Sequence, residues 1–81
     1  MDFIKDGRLM TRHNDVYYYM TYAAARDAMT ELIRVQDATP EARVNSFGRG
    51  YAIQERRSGR YWGEVSFQCA SGEQFNAGGW V

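Results

Sequence analysis

A single lysine, Lys5, stands against nine arginines in this chain, and cysteine, histidine and proline occur once each, as Cys69, His13 and Pro40. One cysteine permits no intramolecular disulfide, and with one histidine it falls short of the four ligands a structural zinc needs. The same scarcity leaves His13 as the sole imidazole base, and Ser46, Ser58, Ser66 and Ser71 all lie far from it in sequence. No Gly-Lys-Ser/Thr follows Gly48 and Gly50, which read as a tight turn rather than a phosphate loop. The carboxylates Asp15, Glu55, Glu64 and Glu73 are scattered, with no spacing that pairs two of them for acid–base work. No apolar run approaches ~18 residues and no basic leader precedes one, so membrane spanning and classical secretion are not expected. The expectation is a non-enzyme with no metal and no cofactor, cytoplasmic, with Cys69 a buried and quiet thiol.

What is present suits one small core. The 81 residues are 44% hydrophobic and 15% aromatic, enough for one helix on one sheet face and a single compact α+β domain over residues 1–81. The formal net charge is zero, so the whole molecule exerts no long-range pull on a polyanion or an acidic membrane. Its distribution is uneven: Arg43 to Arg60 holds five arginines and one acid, Glu55.

Asp6-Gly7 is a hairpin cue, and pairing across it sets Lys5 opposite Arg8, Ile4 opposite Leu9 and Phe3 opposite Met10. His13-Asn14-Asp15 reads as a polar turn, and Val16 to Met20 as a strand with Val16, Tyr18 and Met20 on one face. Tyr17 and Tyr19 take the other face, either as an interface or as ordinary half-exposed rings. Thr21 can cap a helix predicted over 21–37, because its hydroxyl accepts from an amide of the first turn. Ala25, Ala28, Met29, Leu32 and Ile33 recur at helical spacing and form its apolar stripe, and Pro40 stops the run.

The C-terminal half is strand and turn, beginning with a strand over Arg43 to Phe47. A three-residue loop Arg57-Ser58-Gly59 would pair Tyr51 with Val65 and Ile53 with Gly63, collecting Tyr51, Ile53, Tyr61, Val65, Phe67 and Cys69 on the inner face. Gln54, Arg56, Trp62, Glu64, Ser66 and Gln68 would face outward. A second such loop, Ala70-Ser71-Gly72, sets Cys69 opposite Glu73 and Phe67 opposite Phe75. Gly59 and Gly72 are expected at positive φ. The fold class that follows is α+β, one helix packed on an antiparallel, meander-like sheet in two layers.

Arg49, Gly50, Tyr51, Ala52 and Ile53 resemble the opening of the aromatic strand signature of the RNA-recognition-motif family. Gln54 and Arg56 depart from it where a valine and a second stacking aromatic belong, and a hairpin stands where that family needs its second helix. No family membership or binding role is carried over. Arginine and aromatic residues on an outward hairpin face remain, and these dominate protein-binding hot spots. The expected partner-binding residues are Arg56, Arg57, Arg60 and Trp62, continued by Tyr17 and Tyr19. They suit a small regulator or inhibitor that masks a larger protein, such as a phage or mobile element encodes; a homodimer is also compatible. The alternative is a single-stranded nucleic-acid binder, with bases stacked on Trp62 and arginines on phosphates. Glu55 and Glu64 interrupt the basic run and favour the protein partner.

Overall fold

The computed structural model describes residues 2–5, 8–35 and 39–81. They form β1 (Asp2–Lys5), β2 (Arg8–His13), β3 (Val16–Tyr19), α1 (Tyr22–Val35), β4 (Ala42–Phe47), β5 (Gly50–Glu55), β6 (Trp62–Gln68) and β7 (Gln74–Trp80). The sheet runs β1-β2-β3-β5-β4, with β6 joined to β3 and β7 to β6, every pairing antiparallel. One helix packs on this sheet through β3, β4 and β5, giving the expected two-layer α+β fold.

Local chemistry accounts for the first hairpins and the helix. Lys5 pairs with Arg8, Ile4 with Leu9 and Phe3 with Met10, as the sequence predicts, while Asp6-Gly7 itself lies outside the described residues. Between β2 and β3, Asn14 and Asp15 both take left-handed angles, φ 52° and 66°, the conformation of a tight hairpin turn that short polar side chains tolerate. At the helix start the Ala24 amide donates to Thr21 Oγ1 at 3.1 Å. Ala25, Ala28 and Leu32 are buried, with Met29 and Ile33 packed beside them. The predicted extension to Asp37 falls outside the described residues.

Strand alternation sorts the core into two clusters. On the helix side Tyr19, Ile53, Ala42 and Trp62 meet Ala25, Ala28 and Leu32, with Tyr17, Tyr51 and Val44 at the margin. On the other side Val16, Tyr18 and Ala52 are buried beneath Phe47 and Tyr61, whose rings lie 5.0 Å apart. The central sheet is therefore covered on both faces although only one carries a helix. β3 is the strand common to both: its end pairs with β5 at Tyr18↔Ala52 and Tyr19↔Tyr51, and its start meets β6 at Val16↔Gly63. A β-carbon on Gly63 would stand 1.9 Å from the Asp15 carbonyl oxygen, so the crossing closes only on glycine. Glu64 N then donates to that oxygen at 2.7 Å.

Past this crossing β6 and β7 leave the body as a two-stranded arm. Every residue from Ser66 to Ala77 is exposed. Phe67 lies opposite Phe75, their rings stacked at 5.7 Å, and Cys69 N donates to Glu73 O across the three-residue loop, all as predicted. Burial is not as predicted: Phe67 is 50% exposed, and Cys69, expected in the core, is exposed near the arm tip. The two share the face that the register predicts, but among the described residues that face is left exposed.

Candidate functional site

The residues singled out from sequence separate into one exposed group and one buried group. For Trp62 the cause is a shift of one residue in the β5–β6 register. Glu55 N donates to Arg60 O at 2.8 Å and Gln54 bridges to Tyr61, so the loop is Arg56-Arg57-Ser58-Gly59, four residues rather than three. Because side chains alternate, a slip of one position exchanges the faces of everything that follows. Trp62 consequently turns inward beside Ile53, 7% exposed, with its ring edge-on to Trp80 at 5.1 Å. Tyr51 and Tyr61, expected on one face, lie on opposite faces.

Tyr17 and Tyr19 do share a face, as alternation required, but it is the helix-covered one. Tyr19 is buried in the core and Tyr17 is half-buried at its margin. Burial, with Glu64 nearby, raises the Tyr17 phenol above its ordinary value of 10.0, against a smaller opposing effect of Arg12. Arg12 Nη1 donates to Glu64 Oε2 across the β2 and β6 strands that flank Tyr17. Trp62 and Tyr19 thus belong to the core, while Tyr17 keeps a half-exposed ring at its margin.

Arg56 and Arg57 on the loop and Arg60 beside it are all exposed, and the loop is ordered by its own hydrogen bonds. Gly59 N donates to Glu55 O at 2.9 Å, and Arg56 N to Glu41 O at 3.3 Å. Ser58 Oγ donates to Glu55 Oε1 at 2.7 Å and accepts from Arg60 N at 3.2 Å. Gly59 sits at φ 74°, as expected, and Gly72 at 89° in the second loop. The anchor is a residue that sequence reading placed outside: Gln54, 8% exposed, sends its Nε2 to the Gly59 carbonyl at 3.0 Å. Its Oε1 accepts from Arg43 Nε and Nη2, at 3.0 and 2.9 Å, and from Asn45 Nδ2 at 3.1 Å. A glutamine three residues before an Arg-Ser-Gly turn is the available signal, but only burial reveals its role.

Around the loop, Arg43, Arg56, Arg57 and Arg60 face Glu41 and Glu55, a local excess of basic charge. The Arg57 Nε to Glu41 Oε2 distance is 3.9 Å, with 82% of the Arg57 side chain exposed, so this pair leaves the guanidinium open to solvent. His13 is exposed, its Nε2 3.3 Å from the Asn14 amide. Among the described residues no His, Cys, Asp and Glu side chains gather into a group that could hold a metal ion. No described helix is long and apolar enough to cross a membrane. Compared with protein-family descriptions, curated proteins and solved structures, the chain matches none.

Proposed function

We propose that this chain is a non-enzymatic protein-interaction module that docks through the Arg56–Arg60 loop onto an acidic surface of a larger protein. The observation that carries this reading is a loop held rigid from below by Gln54 while three guanidinium groups face solvent. Ordering the backbone in advance lowers the entropy cost of binding, and planar guanidinium groups pair bidentately with carboxylates. A small cytoplasmic regulator or inhibitor, of the sort a phage or mobile element encodes, would work by covering its target in this way. The nucleic-acid alternative loses support from the burial of Trp62, the ring on which a base was to stack.

Capture from host extract by the tagged chain, with and without nuclease, tests the reading. A protein retained after nuclease and lost from the Arg56→Glu/Arg57→Glu/Arg60→Glu variant, folded by circular dichroism, is the expected result. Retention by that variant would overturn the assignment of the loop. Nuclease-sensitive capture, with oligonucleotide affinity falling steeply with salt, would transfer the function to nucleic acid.

A further inference from the structure

The arm poses a separate question, because β7 is an edge strand over its whole length. Among the described residues it pairs only with β6. Tyr61 and Val81 exchange both backbone bonds, at 3.1 and 2.8 Å, and Cys69 N donates to Glu73 O at the other end of the ladder. Antiparallel ladders alternate between bonded and non-bonded pairs, so the odd-numbered residues of β7 bond to β6. The N–H and C=O groups of Gln74, Asn76, Gly78 and Trp80 therefore point to the outer edge.

Edges of this kind are ordinarily blunted by charge, proline or a bulge. The other two outer strands follow that rule in sequence: β1 contains Asp2 and Lys5, and β4 contains the exposed Arg43. Gln74 to Trp80 holds no ionisable side chain and no proline. The sequence thus places charge on two edge strands and none on the third.

We propose that β7 is a self-association edge, pairing antiparallel with β7 of a second copy about a two-fold axis at Ala77. In that register Asn76 lies opposite Gly78 of the second copy, Gln74 opposite Trp80 and Phe75 opposite Gly79, so every outward backbone group meets a partner. The occupant is set by complementarity of charge and shape. Neither strand brings a charge to the contact, and the bulky Phe75 falls on a glycine that leaves room for its ring. Both copies present Phe67, Phe75 and Ala77 on the same side of the resulting four-stranded ribbon, making the apolar face continuous. A two-fold contact of this type closes at two copies, and it is independent of what the arginine loop binds.

Sedimentation velocity over the micromolar range, on purified protein with no other partner, tests the proposal. The native sequence is expected to sediment as a dimer, and Asn76→Pro to weaken association at least about tenfold. Proline there removes an outward amide and no backbone bond of the hairpin, losing within it only the exposed Ser66 Oγ to Asn76 Oδ1 side-chain bond, which Asn76→Lys loses equally. Asn76→Lys, which keeps the amide and adds a charge to the edge, should do the same if the proline variant misfolds. Ala77→Cys in a Cys69→Ser background should form an interchain disulfide under mild oxidation, since a non-bonded antiparallel pair brings the two positions within bridging range. A monomeric native protein overturns the proposal. So does a dimer that survives both Asn76 substitutions but dissolves on Phe67→Ser, which would place the contact on the arm face instead.

Discussion

Ser58-Gly59 closes a hairpin inside the body, where β3 enters beside it and Ile53 and Trp62 are drawn under the helix. Ser71-Gly72 closes a hairpin whose distal residues, Ser66 to Ala77, are all exposed and pair with each other. In the arm, turn chemistry sets the register unopposed and the loop has the three residues that chemistry favours. In the body, a fourth residue enters the loop because the resulting register buries Trp62 beside Ile53. Burying a large aromatic ring is worth several kcal/mol, against the ~1 kcal/mol scale of turn preference. Local preference decides only where tertiary burial has no stake.

The sharpest break between the regions should come from truncating one aromatic in each. Trp62→Ala is expected to cost about 4 kcal/mol, and Phe67→Ala less than about 1 kcal/mol, by urea unfolding of the monomer. Equal costs would mean that the arm is as integrated as the body. Next in size is Gly63→Ala, at about 3 kcal/mol, since its new carbon cannot coexist with the Asp15 carbonyl. Wild-type stability in that variant would show that the crossing of β3 and β6 can relax.

A finer comparison uses the two loop glycines, both at positive φ. Gly59→Ala should lower global stability by about 1 kcal/mol, whereas Gly72→Ala should shift the global midpoint less, because the arm can open on its own. A smaller effect concerns Tyr17, whose proton is held more tightly in the fold than in the unfolded chain. Its contribution is fully present below pH 10 and is lost as pH rises through the raised folded value. Tyr17→Phe should flatten the alkaline decline of stability relative to the parent. Last, Cys69 should react with a thiol reagent at nearly the same rate in native and unfolded protein, with no energetic consequence; strong native protection would show that something covers the arm tip.

These contrasts also explain what the sequence disclosed. Thr21, the alanine stripe and the pairing of Phe67 with Phe75 were legible because each rests on short-range spacing. The insertion of β3 between β2 and the C-terminal strands was not, since nothing near Val16 specifies that it meets Gly63. Gln54 is a different case from Trp62: it keeps the face that alternation gives it, opposite Ile53, and is buried because Arg43, Asn45 and the loop cover that second face. Cys69 lies outside for another reason: sharing an apolar face with Phe67 does not by itself cover that face. Of the site residues, Arg56 and Arg57 lie outside in either register because loop side chains are not bound by the alternation, and Arg60 is exposed at the first pair beside the loop.

The double engagement of β3 has a consequence for the rate at which the protein reaches its fold. Val16 to Tyr19 must find Tyr51, Ala52 and Gly63, partners more than thirty residues away along the chain. Closing that span costs entropy before its contacts return any free energy, so docking of β3 should set the folding barrier. Substitutions in β3 should then slow folding, while those in the arm leave the folding rate unchanged and act on reopening alone. One four-residue strand would act as the clock for assembly of the whole sheet.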